Sequence, residues 1–326
     1  MVNNNMISNP LKTAVLFLVF NRPHLTVKSF EAIRKVRPAK LYVASDGPRP
    51  EKDGEEKLVS KVREIATAVD WPCEVKTLFQ KKNLGCSYGV SDAITWFFEH
   101  EEQGIILEDD NLPHPDFFLF CETLLNRYKN IEKISTISGD NFQNGIKRGE
   151  ASYYFSKYFH GWGWATWRRT WKFYDKKIKF WPEWKISDDW INKFPNIIER
   201  RYWEKIYNMM HETDFDSMAY PFQAKIMYHG GLNILPNVNL VSNIGYGEDA
   251  THTTNKNNQE SNIQTRSLGK IDHPKLIEAN YDADTYDFEW TFGGRDLRFP
   301  RRWLIFPRRV FYFVLRKISQ IIKINF

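Results

Sequence analysis

The chain has 326 residues, 42% of them hydrophobic and 16% aromatic, enough to bury one large core or two modest ones, and this composition excludes extended disorder. Its formal charge of +6 is localised: Arg301, Arg302, Arg308, Arg309, Arg316, Lys317 and Lys323 follow Pro300 with no acid among them, and the remainder carries 39 basic against 40 acidic residues. A nearly neutral body excludes a general nucleic-acid binder. Cys73, Cys86 and Cys121 are odd in number and lack metal-ligand spacing, which excludes a disulfide framework and suits reduced thiols in a cytoplasmic protein.

In chain order, "TAVLFLVF" (13–20) is too short to span a bilayer and runs into Asn21, Arg22 and Pro23 rather than a small-residue cleavage site, so it predicts a buried strand and not a signal peptide. "PHLTVKSFEAIRKV" (23–36) has helical spacing behind an opening proline. "KLYVASDG" (40–47) is the second strand, residues 51–69 a charged helix, "CEVKTLF" (73–79) an alternating third strand, and "NLGCSYGVSDAITWFFEH" a loop passing into a helix. "QGIILEDD" is the fourth strand, "HPDFFLFCETLLNRYK" another helix and "ISTISGDNF" a further strand. Such alternation requires an α/β fold with a mostly parallel sheet between helices, and ligands of such sheets bind at the strand carboxyl ends.

Those ends carry Asn21 and Arg22, then Asp46 and Gly47, then Asn83, Leu84 and Gly85, then Glu108, Asp109 and Asp110. Three adjacent acids cost free energy unless a divalent cation or a ligand's hydroxyls answer them; the bland reading is a solvated turn. Cation, carboxylates, amide and glycines together suit a nucleotide diphosphate and its metal. Neither a GxGxxG nor a GxxxxGK[ST] phosphate loop occurs.

The motifs "FNRPHLT", "VASDGPR", "NLGCSYGVSDAI" and "ILEDDNLPHPDFF" resemble the donor-binding half of GT-A glycosyltransferases, in particular N-acetylglucosaminyltransferase I and related bacterial nucleotide-diphospho-sugar transferases. The resemblance covers residues 13 to 142. It implies a GT-A, Rossmann-like sheet in which Asp110 coordinates Mn2+ or Mg2+ on the diphosphate, Asp109 meets the ribose or sugar and Glu108 the transferred sugar. It further implies Arg22 near the diphosphate and Asp46 near uracil, with Asn21, Asn83 and Gly85 completing the donor site.

The second half holds "YFHGWGWATWRRTW" (158–171), "KISDDWINKF" and "HETDFDSMAYPFQAKIMYHGGLNILPNVNLVSNIGYGEDATHT". Related bacterial transferases resemble this order, which implies an inverting mechanism with a carboxylate general base. Asp216 matches the family's aspartate, although Phe215 and Ser217 replace its tryptophan and tyrosine; Asp214 and the pair Asp188 and Asp189 of "SDDW" are the rivals. Trp162 and Trp164, with Trp167, read either as sugar-stacking rings on a tight loop or as core, while Trp171, Phe173, Tyr174 and Trp181 read as core. His252 of "EDATHT" is read as a diphosphate or metal ligand against a solvated-loop alternative.

After Pro307, Phe311, Val314, Leu315, Ile318, Ile321 and Ile322 share one helical face and Arg309, Arg316 and Lys323 the other. This predicts a basic amphipathic helix on an anionic membrane, or a helix docked on the body. The expected organisation is a catalytic domain over 10–255, split into a nucleotide-sugar half (10–142) and an acceptor half (143–255), then a polar loop and packing segment (256–298) and a tail (299–326). The expected function is transfer from a UDP-sugar to a glycan or lipid-linked acceptor at the cytoplasmic face of a bacterial membrane, with no nucleic-acid partner. A sugar-nucleotide pyrophosphorylase and a calcium-binding membrane scaffold are the alternatives; the first tends to carry a Gly-rich basic loop that "FNRPHLT" does not offer.

Overall fold

A computed structural model of the chain describes residues 10–246 and 263–301. His252 and the tail from residue 302 onward lie outside the described residues. The chain alternates β1 (Val15–Val19), α1 (Pro23–Val36), β2 (Lys40–Ser45), α2 (Glu55–Ala66), β3 (Glu74–Phe79), α3 (Gly85–His100) and β4 (Gln103–Glu108). It continues with β5 (Asn111–Pro113), α4 (Pro115–Tyr128), β6 (Ile134–Ser138), β7 (Tyr153–Ser156) and β8 (Trp164–Trp167). Three short helices follow, α5 (Arg168–Trp171), α6 (Trp181–Trp184) and α7 (Asp188–Lys193), then α8 (Ile197–Glu212), α9 (Ala219–Tyr228), β9 (Leu232–Pro236), β10 (Val241–Asn243) and α10 (Tyr281–Tyr286).

Eight strands form one sheet in the order β3-β2-β1-β4-β8-β6-β9-β7. β1 pairs in parallel with β2 and β4, and β2 with β3; β8 runs against both β4 and β6; β6 and β9 are parallel and β7 is antiparallel to β9. Six of the eight strands therefore share one direction, and the fold is mixed α/β with a mostly parallel central sheet between helices. "WATW", expected within an aromatic loop, is instead the central strand β8. Its four residues are all buried because the strand sits between β4 and β6 with helices over both faces.

Continuous apolar runs are what a sheet covered on both faces needs. Along β1, Val15, Phe17 and Val19 join one core with Phe30 and Ile33 of α1, while Leu16 and Leu18 join another with Phe97 of α3 and Phe222 of α9. A third cluster gathers the tryptophans of the second half: Trp181, Trp184, Trp190 and Trp203 pack with Tyr158 and Tyr207. Each fully buried ring contributes roughly 2–3 kcal/mol of hydrophobic free energy, so the high aromatic content is mainly structural. Phe173 departs from its expected core role and is 45% exposed. A small second sheet pairs β5 with β10, setting Asn243 opposite Asn111 and bringing the "SNIG" stretch against the acids that follow β4. Among the described residues no helix is long and apolar enough to cross a membrane.

Candidate active site

The connection from β1 to α1 is only Phe20, Asn21 and Arg22, so Arg22 is held at the carboxyl end of the sheet with little freedom. Its guanidinium bridges the two aspartates: one nitrogen binds Asp109 Oδ1 and the other lies 3.1 Å from Asp110 Oδ2. Ser29 Oγ on α1 donates to the Asp109 carbonyl at 2.9 Å, and Asn111 Nδ2 donates to Asp110 Oδ1 at 3.0 Å. Asn111 Oδ1 in turn accepts from the amides of Glu108 and Gly163 at 3.2 and 2.8 Å. Gly163 has φ +63° and a Cβ there would meet Val241 at 2.8 Å, so this glycine belongs to a close crossing of backbone under β10.

One cation therefore answers three acids. Burial, with the charges of Asp110 and Asp109, pushes the Glu108 carboxyl up to about 8. Burial likewise lifts Asp109 to about 6 against the pull of Arg22. For Arg22 burial alone would lower the pKa, but Asp109 and Asp110 outweigh it and hold the guanidinium charged. Gly245 lies against this group: a Cβ on it would come 2.3 Å from Asp110 Oδ2.

A cleft of about 200 Å3 opens beside the acids, lined by residues from the ends of β1, β2, β3 and β4 and the start of α3. Asn21, Arg22, Asp46, Asn83, Gly85, Glu108 and Asp109 all line it, and Asp216 reaches it from the second half. Asp46 accepts from the amides of Gly47 (2.8 Å), Leu84 (2.9 Å) and Gly85 (3.1 Å) and from Asn83 Nδ2 (2.9 Å). Burial raises its pKa while those amides pull it back. In this arrangement Asp46 shapes the "NLG" turn rather than offering an open carboxylate. Asp216 accepts from the amides of Cys86 at 3.1 Å and Ser87 at 2.5 Å, capping the first turn of α3, where aligned peptide dipoles favour an anion.

The remaining candidates fall elsewhere. Trp164 is 1% exposed and packed against Phe159 and Phe222, which corrects its reading as a pocket ring: it is core. Trp162 is half-buried, edge-on to Tyr246 and Phe142, and its amide donates to Asp140 at 3.2 Å. Asp188 and Asp189 start α7, do not line the cleft, and have a structural account. Ser187 Oγ caps that helix by accepting from Trp190 N at 3.2 Å, and Asp189 accepts from the Trp184 indole at 2.7 Å. Trp190 is thereby fixed in the third core. Asp214 is exposed and pairs with Lys177 outside the cleft.

Two cleft residues carried no sequence-level role. Arg49 ends the quoted motif "VASDGPR"; it pairs with Glu55, which also accepts from Asn21 Nδ2 at 2.8 Å, and its guanidinium lies 5.4 Å from the centre of the Phe20 ring. Cys86 lines the cleft with its thiol pushed up to about 12, by burial first and then by Glu108 and Asp216. Only the place of Arg49 within the motif signalled it; a lone cysteine gives no such signal.

No protein-family model matches the chain, and no curated protein matches it. Among solved structures it is similar to a UDP-glucose pyrophosphorylase complexed with UDP-glucose, at 10% identity over 69% of this chain and 90% of that one, with a TM-score of 0.36. It is also similar to the inositol-1-phosphate CTP transferase from T. maritima, at 11% identity over 69% and 85%, with a TM-score of 0.33. Both are partial likenesses of form.

Proposed function

We propose that the chain is a metal-dependent, inverting glycosyltransferase that moves a sugar from a nucleotide-diphosphate sugar, first of all a UDP-sugar, to a glycan or lipid-linked acceptor. What carries the reading is the meeting in one cleft of Arg22, Glu108 and Asp109 with Asp216 from the other half of the chain. The three-residue connection between β1 and α1 leaves no room for a Gly-rich basic loop, which favours glycosyl over nucleotidyl transfer.

The donor set suits the metal. Among the described residues no group of three or more His, Cys, Asp and Glu is arranged to hold an ion by itself, but Mg2+ is commonly bound by one or two carboxylates with waters and substrate phosphates completing the shell. Asp110, with Asp109 beside it, would hold the ion, and three acids around one guanidinium leave negative charge for it to answer. A bound divalent cation supplies Lewis-acid neutralisation of the leaving diphosphate. Arg22 and Arg49 orient phosphate oxygens by charge-assisted hydrogen bonds. Asp216 accepts the proton of the acceptor hydroxyl as that oxygen bonds to the sugar carbon and the carbon–diphosphate bond breaks.

The test is a melting-temperature panel of UDP-sugars with and without Mn2+, followed by transfer assays with Asp216→Asn. A ligand that binds only the folded state raises the melting point. The expected outcome is a metal-dependent shift for one donor, with the variant keeping donor affinity and losing at least about a hundredfold in turnover. Near-normal turnover in the variant removes Asp216 as base, and no shift with any nucleotide sinks the donor class.

A further inference from the structure

At the amino ends of the strands, opposite the acids, the turns entering β6 and β9 and leaving β8 enclose a cleft of about 400 Å3. Lys133, Arg169, Lys172 and Lys225 bring four positive charges to it and Glu132 one negative charge. Among the described residues none of the four cations is within salt-bridge distance of a carboxylate. Two have other work: Lys133 Nζ donates to the Ile277 carbonyl at 3.1 Å, and the Arg169 guanidinium donates to the carbonyls of Tyr128 and Ile131 at 3.2 and 3.1 Å, at the carboxyl end of α4.

That leaves Lys172 and Lys225, whose ammonium groups stand 4.8 Å from the Phe173 ring centre and 4.6 Å from that of Phe180. Burial lowers the pKa of Lys225 against the weaker opposing pull of Asp175, and burial with the nearby Lys225 and Lys193 lowers that of His229, as expected where cations outnumber anions. The wall beside them is apolar: Phe173 is exposed and its ring lies tilted against His229, centroids 4.8 Å apart, next to Phe222 and Ile226. A carboxylate would answer one charge of this excess, whereas a phosphomonoester carries about −1.5 to −2 at neutral pH and three acceptor oxygens.

We propose that this cleft binds a phosphomonoester, its phosphate between Lys172 and Lys225 and its uncharged body against Phe173. The site is separate from the front cleft and does not depend on the glycosyltransferase reading. The ligand is either a free phosphorylated metabolite or a lipid headgroup, and both present the same phosphate.

The experiment is calorimetric titration of the full chain with glycerol 3-phosphate and with monomeric dihexanoyl phosphatidic acid. At least one is expected to bind, tighter binding of the lipid naming a headgroup source and equal or tighter binding of glycerol 3-phosphate a free one. The double variant Lys172→Gln and Lys225→Gln should lose about tenfold or more in affinity, while the charge-keeping pair Lys172→Arg and Lys225→Arg retains it. The arginine pair keeps the test decisive if the glutamine pair folds poorly, because its loss of binding would count against a charge-held phosphate. Arg49→Gln, in the front cleft, should leave the affinity unchanged. Absence of binding by both probes, full affinity in the glutamine pair, or loss in Arg49→Gln would each overturn the proposal.

Discussion

The two ends of the sheet carry opposite charge and treat it differently. At the carboxyl ends, Asp46 and Asp216 are held by backbone amides of the turn and first helical residues around Gly85, and Asp109 and Asp110 are clamped by Arg22. At the amino ends, Lys172 and Lys225 lie over ring faces, with no carboxylate within salt-bridge distance among the described residues. The sign at each end follows the architecture, since helices packed on a parallel sheet point their amino termini at the front and their carboxyl termini at the back, where anions and cations respectively are favoured. The difference teaches that a fold's polarity selects which charges collect at each end, while the local hydrogen bonds decide whether they are structural or left for a ligand.

The largest expected effect comes from removing the front clamp. Arg22→Ala leaves the carboxylates after β4 without their guanidinium, and breaking a buried ion pair in this way costs about 3–5 kcal/mol. Urea denaturation measures it. A loss below about 1 kcal/mol would mean that the acids are solvated like surface charges, and the contrast between the two ends would collapse.

Next in size is a buried charge centre that belongs to neither cleft. His160 Nδ1 lies 3.2 Å from Asp140 and Nε2 lies 3.5 Å from Asp287, with all three side chains buried. Burial alone would lower the His160 pKa, but Asp140 and Asp287 outweigh it and raise it to about 10. A raised histidine contributes stability that is intact below its unfolded value near 6.5 and is lost as pH rises through about 10. His160→Gln should therefore be destabilised by about 2–4 kcal/mol at pH 7, and the gap to the natural protein should narrow between pH 7 and 10. A gap that does not change with pH would identify a neutral, merely packed imidazole.

Much of the front end was legible in the sequence. Each strand there ends in residues whose chemistry stands out within a few positions of an apolar run, and α1 spans the residues expected from its proline and helical spacing. "WATW" was misread because tryptophan and glycine suggest a loop, whereas insertion between β4 and β6 depends on pairing partners far along the chain. The "SDDW" acids were ambiguous for a related reason: a capped helix start and a catalytic pair share a composition, and what separates them, the Ser187 cap, the Trp184–Asp189 hydrogen bond and the burial of Trp190, exists only in the fold. The back cleft was invisible, since its cations come from three separated segments, each looking locally like ordinary surface charge.

The smallest expected effect tests that last contrast most sharply. Lys225 is half-buried, has no carboxylate partner among the described residues, and has its charged form disfavoured by burial. Lys225→Gln keeps most of the side chain's packing while deleting that charge, so stability should stay level or rise by about 0.5 kcal/mol. Thermal unfolding at low ionic strength is the measurement, because salt would screen the repulsion being relieved. A fall of more than about 1 kcal/mol would mean that the ammonium's position over the Phe180 and Tyr228 rings is itself a structural bond. The back of the sheet would then be built as the front is, with its charges already answered. A level or raised stability, together with weakened phosphate binding in the paired variant, would instead mark a charge retained at a cost to folding, which is the expected signature of a residue kept for a ligand.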